Sequence, residues 1–162
     1  MTKLHRVLWA LIFLGILTGI GKLGWDHYEE GVAVQKQIDA LVTISQDNIG
    51  DVFKDGLPTF ILACTPDICN EMKPLLADLQ KQYNGRAHVV MLDAIASQAL
   101  LVKILTITMN VLETKFPTAF PTAIMLDAET KPVGFKIGLG SEDEFKALID
   151  KAFAPAALPT GQ

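Results

Sequence analysis

The sequence predicts an α/β fold, a central mixed sheet with flanking helices, preceded by an N-terminal membrane helix. Three observations carry that prediction. An apolar run with a basic flank opens the chain, short apolar runs then alternate with helical periodicity, and a turn-linked strand pair followed by a capped helix closes it. Elements in that order pack as layers around one core, and a strand–helix–strand unit with a crossover helix sets its two strands parallel. The 162 residues suffice for one domain and an appendage. With 50% hydrophobic and 20% charged residues the chain has the makings of a packed core rather than of a disordered polymer. A net charge of −4 leaves no basic footprint for nucleic acid.

The first element is the run Val7–Gly21, an apolar stretch of fifteen residues without a charge after the basic "MTKLHR". Lys22 interrupts it, and Trp25 follows before acidic residues begin at Asp26. A lysine that snorkels and an interfacial tryptophan extend such a run towards a membrane span. No Ala-x-Ala cleavage site is present, although Gly19-x-Gly21 is a weak substitute, so a retained signal-anchor is favoured over a removed signal peptide. Residues 1–25 are therefore expected to form a single-pass anchor in a bacterial inner membrane through residues 7–25. Lys3 and Arg6 then stay in the cytoplasm and the C-terminal domain faces the periplasm. Residues 26–47 are expected to form a juxtamembrane connector and a helix, because Val34, Ile38, Leu41 and Val42 fall at helical spacing.

The folded domain is expected over residues 48–153, followed by a disordered tail, 154–162. "DNIGDVF" reads as a short helix and "KDG" as its terminating turn; "TFILA" reads as a buried strand. The period then changes. Thr65 stands at the cap position of a helix, Pro66 at its first turn and Asp67 beside the positive end of its dipole. Ile68, Met72, Leu75, Leu76, Leu79 and Tyr83 make its apolar face, and Asn84–Gly85 ends it. Ala87–Asp93 is a second buried strand, and Ser97 to about Glu113 a long helix. Thr122–Asp127 is a third strand, "AETKP" a turn, and "VGFKIG" a fourth strand antiparallel to the third. "SEDE", from Ser141 to Glu144, is a capping box that opens the last helix.

Three of these stretches together resemble the thioredoxin superfamily, from about Asn48 to Phe153. A strand runs directly into a cysteine and a helix, with Cys69 five residues before Pro74, as the family's second cysteine stands before its helix-kinking proline. "AFPTAIMLD" is similar to the family's cis-proline loop and the strand after it, which implies that Pro121 is the cis-proline. "KPVGFKIGLGSEDEFKALIDKAF" resembles the closing hairpin and helix. The resemblance implies a thioredoxin-like fold and thiol–disulfide chemistry, with Phe120–Pro121 presenting a groove to an extended peptide. The sequence also departs from the family pattern. Its pair is "CTPDIC", a CX4C spacing in place of Cys-x-x-Cys, so Pro66 occupies the nucleophile's position. The family's buried acid has no counterpart in "LPTFILA", and Ala63 replaces the aromatic residue that precedes the first cysteine.

The cysteine pair admits several readings on its own chemistry. A thiol at a helix N-terminus gains from unpaired N–H groups and the dipole, which favour the thiolate. On that reading the pair exchanges with the thiols or disulfides of exported proteins, with Cys64 as the attacking thiol and Cys69 as the thiol that resolves the mixed disulfide. Asp67 opposes the thiolate and Lys73, one turn beyond Cys69, offsets it. Residues five apart in one continuous helix do not meet the distance a disulfide requires. Cys64 is therefore expected outside the helix, with Pro66 breaking the geometry and Cys64 the more exposed of the two. The alternatives are a structural disulfide in a redox-silent interaction module of an envelope complex, or Cu(I) held by two soft thiolates. His88, at the start of a strand, reads as a surface residue rather than a copper ligand. No cofactor or resident metal is implied. Finally, "ALLVKILTITMNVLETKF" is apolar nearly all round. It is expected either to be packed on both sides or to offer residues 99–112 to a protein partner.

Overall fold

The computed structural model describes residues 35–154 apart from 37, 116 and 118. The expected anchor, 1–25, lies outside the described residues, as do residues 26–34 and 37 of the connector and 155–162 of the tail. Among the described residues no helix is long and apolar enough to cross a membrane. The chain divides into two units, Met1–Asp39 and Ala40–Gln162. In the first, residues 35, 36, 38 and 39 are helical.

Among its described residues the second unit has five strands and four α-helices, β1 (Val42–Ile44), α1 (Ile49–Val52), β2 (Thr59–Cys64), α2 (Pro66–Gln82), β3 (His88–Asp93), α3 (Gln98–Leu112), β4 (Thr122–Leu126), β5 (Pro132–Ile137) and α4 (Glu142–Asp150), followed by a 3-10 turn, Lys151–Phe153. The sheet order is β1-β3-β2-β4-β5. β1 and β2 run parallel to β3, and β4 runs antiparallel to both β2 and β5. The crossover through α2 makes β2 and β3 parallel, whereas the Asp127–Lys131 turn needs only five residues to reverse β4 into β5.

Two departures from the sequence reading concern the start of the domain. Val42, expected on a helix, opens β1, and the compact unit starts at Ala40 rather than at residue 48. The helical spacing of Val34, Ile38, Leu41 and Val42 stops governing the chain at Leu41. From there a β-branched trio, Val42-Thr43-Ile44, pairs with Val90, Met91 and Leu92.

β2 lies in the middle of the sheet, and every one of its side chains is buried. Strand alternation divides them between two cores. Ile61 and Ala63 join Val90, Leu92, Ile124 and Leu126 under α1 and α3, packed by Leu100, Leu101, Ile104 and Leu105. Phe60, Leu62 and Cys64 have the opposite parity and face the other layer. There Phe60 meets Phe145 of α4 edge-on, with ring centroids 5.4 Å apart. Such a pair adds about 0.5–1.5 kcal/mol beyond its burial. The capping box at Ser141 and Glu144 is formed in both directions. α3 turns Leu100, Leu101, Ile104, Leu105 and Met109 inward and keeps Val102, Ile107 and Val111 exposed. Most of its apolar surface therefore belongs to the core, and three side chains remain for solvent or a partner.

Candidate functional site

The site lies where β2 runs into α2. Thr65 takes extended dihedrals, φ −73° and ψ 157°, and Pro66 is the first helical residue. A residue before proline is driven out of helical geometry, while the proline's fixed φ suits the first turn. The chain thus bends at Thr65 and re-enters helical form at once. The Thr65 hydroxyl makes no cap bond, but its carbonyl accepts the Cys69 N–H at 2.8 Å, closing the first helical turn over the strand end. That fold-back brings the Cα atoms of Cys64 and Cys69 to 5.4 Å, and their sulfurs are bonded as a disulfide. The backbone beyond β2 is held as well, since the Cys64 carbonyl accepts the Ala94 N–H at 2.9 Å.

The exposure of the two cysteines reverses the expectation. Cys64 has a relative exposure of 0% and Cys69 of 8%. The reason is the position of β2: Cys64 ends a central strand, on the face that carries Phe60 and Leu62, with the first turn of α2 above it. Its sulfur lies 3.7 Å from the Leu62 carbonyl oxygen. Cys69, one turn into the helix, lines a cleft of about 150 Å³ with Thr43, Pro66, Asn70, Lys73, Met91 and Asp93. Strand β1 supplies the far wall of this cleft through Thr43, and its absence from the sequence reading hid the cleft. The signal that could have revealed it is the β-branched trio at 42–44. Asp93 Oδ1 accepts the N–H groups of Ile95 and Ala96 at 2.8 and 2.9 Å, which fixes the turn at the cleft's rim.

The proline loop reaches the same end of the sheet. The Phe120–Pro121 peptide bond is cis. Ala63 pairs with Thr122, so the antiparallel register continued by one residue sets Pro121 alongside Cys64. Pro121 is buried and its carbonyl accepts the Gly138 N–H at 2.8 Å, which engages it with the end of β5. Phe120 is exposed, as are Ile95, Ile137 and Leu139, which lie at or beyond strand ends on the same end of the sheet.

His88 stands at the other end of β3. Its Nε2 lies 2.9 Å from both carboxylate oxygens of Asp55. The bond from His88 holds the Asp55 carboxyl below the usual carboxylate range. His88 pairs with Thr59 and Asp93 with Cys64, so five residues of strand, roughly 16 Å, separate this imidazole from the cysteines. Among the described residues no group of three or more His, Cys, Asp or Glu side chains gathers as a metal site. A Cu(I) site would need the disulfide reduced, and His88 stands too far along the strand to complete it.

A sheet of this order with a bonded cysteine pair at the β2–α2 junction and a cis-proline beside it defines a thioredoxin-like α/β protein. No family model matches the chain, and no curated protein does. Among solved structures, a mutant thioredoxin from Halobacterium salinarum NRC-1 is similar, with TM-score 0.51 and 23% identity over 69% of this chain and 88% of that one. The fold of this chain is thioredoxin-like.

Proposed function

We propose that this protein is a membrane-tethered thiol–disulfide oxidoreductase of the bacterial periplasm, acting on exported proteins through Cys64 and Cys69. The observation that carries this reading is the bonded pair itself, held at a helix N-terminus beside Pro121. A cysteine at that place is favoured as a thiolate, and a thiolate is what attacks or leaves in exchange. Phe120–Pro121 is the element that would receive an extended client segment. The basic flank and apolar run over residues 7–25 support the tether and, with it, an oxidising compartment in which a disulfide persists. The exposed side chains of α3, Val102, Ile107 and Val111, support a protein partner for the 99–112 helix.

One observation favours a second reading, a redox-silent module with a structural disulfide: the complete burial of Cys64. Equilibration of the full-length protein in glutathione buffers separates the two. An exchange protein reaches its midpoint within the range of known exchange couples, about −120 to −270 mV, and loses turnover on Cys64→Ser. A midpoint below about −300 mV with no exchange identifies the silent module. The tether is tested alongside: full-length chain should stay in the membrane fraction through alkaline carbonate, and a soluble form starting near Lys22 would rule the anchor out.

A further inference from the structure

We propose that the pair is entered through Cys69 rather than Cys64, from the cleft between α2 and β1, and that Lys73 is the positioning residue that holds the Cys69 sulfur as a thiolate when the pair is reduced. This rests on the exchange reading above and reverses the order of the two thiols expected from the sequence. The ground is access. Cys64 has no exposed surface, whereas Cys69 keeps 8% and lines an open cleft. Exchange requires an incoming sulfur to approach in line with the disulfide, so the cysteine that keeps access from the cleft is the one attacked.

The step balances as follows. A client thiolate attacks the Cys69 sulfur; a client–Cys69 bond forms and the Cys69–Cys64 bond breaks, its electron pair passing to the Cys64 sulfur. That sulfur is fully buried, 3.7 Å from the Leu62 carbonyl oxygen, where burial disfavours charge, so it takes up a proton released by the client thiols and becomes a neutral thiol. The client's second thiolate then attacks its own bonded sulfur and displaces Cys69 as a thiolate. The client dithiol is thereby oxidised to a disulfide and the protein's disulfide reduced by two electrons; of the two protons the client thiols give up, one ends on Cys64 and the other passes to solvent.

The charge left on Cys69 needs a partner, and the cleft contains one. Lys73 lies four residues on, where helix side chains share a face, and it lines the same cleft. Among the described residues it forms no ion pair, unlike Lys54, Lys136 and Lys146. The opposing charges are few. Among the described residues Asp93 of β3 is the one carboxylate that borders the cleft, and its Oδ1 is engaged by two backbone N–H groups. Asp67 and Glu71 are two positions from Cys69 on α2, both exposed, and so point away from its face. β1 contributes only Thr43.

The test is the order of alkylation in the reduced full-length protein. Limiting iodoacetamide at pH 7, followed by fragment-ion mapping between the two cysteines, should label Cys69 at least ~10-fold faster than Cys64. Lys73→Gln should slow Cys69 labelling roughly 3- to 10-fold and move the midpoint of its pH–rate profile upward, with far-UV circular dichroism unchanged; Lys73→Arg should restore both. Faster or equal labelling of Cys64 overturns the entry through Cys69 while leaving exchange intact. A Lys73→Gln profile that coincides with the wild type removes the role of Lys73. A wild-type disulfide that never exchanges with glutathione overturns the exchange reading, and this inference with it.

Discussion

Reducing the Cys64–Cys69 bond should leave the domain folded and lower its stability by about 2 kcal/mol. The disulfide closes a loop with a sequence separation of only 5. Taking about six residues in the closed loop, the chain-entropy relation gives a loss of roughly 7 cal/mol/K, or about 2 kcal/mol at 25 °C. Nothing else at the junction depends on the bond. The Thr65 carbonyl still closes the first turn of α2, the Ala94 N–H still holds the end of β2, and the two cores are packed by Phe60, Phe145, Leu105 and their neighbours. By linkage the fold stabilises the disulfide by the same amount, which makes it about 45 mV more reducing than in the unfolded chain. That modest bias leaves both redox states accessible, as an exchange protein requires. The assay is urea denaturation of oxidised and reduced full-length protein, with detergent present for the N-terminal apolar run. With a urea slope of about 1–2 kcal/mol/M, the midpoint should fall by about 1–2 M at constant slope. A reduced chain that unfolds without denaturant, or loses more than about 4 kcal/mol, would show the bond to be a staple that the fold cannot release.

Two further predictions address the packing that holds the site. Tyr83 donates its hydroxyl to Asp150 Oδ1 at 2.8 Å, and burial, with that carboxylate as the second cause, pushes its phenol up to about 12. Its contribution to stability is thus complete below the unfolded value near 10 and is lost as pH rises through about 12; absorbance at 295 nm should show one of the two tyrosines ionising late, and Asp150→Asn should bring that step down. At Gly140 an added Cβ would stand 2.7 Å from Phe145 Cε1 and 2.9 Å from both Phe145 Cζ and Lys136 Cε. Gly140→Ala should therefore destabilise by about 1–3 kcal/mol, measured by denaturation, and a neutral result would mean that the Phe145 ring shifts freely.

What the sequence determined by itself is the local grammar. "TFILA" and "HVVMLD" are short, apolar and bounded by turns, which commits them to central strands. Thr65–Pro66 must break and restart the chain whatever surrounds it, because proline's ring excludes helical geometry before it and favours it after. The "SEDE" box forms from residues three apart and needs no partner elsewhere. The parallel pairing of β2 and β3 follows from the helix between them, and the thioredoxin-like fold follows from the order of these pieces. The tertiary structure alone decided the rest. β1 is three residues long, and its helical-looking approach, Val34 to Leu41, outweighed it in sequence; only pairing with β3 makes it a strand. The exposure of the cysteines could not be read from their spacing, since it depends on β2 standing in the middle of the sheet with α2 laid over Cys64. The cleft that opens onto Cys69 is made by residues from β1, α2 and β3, separated by up to fifty positions in the chain. Proximity between such residues is a property of packing, and no local preference encodes it.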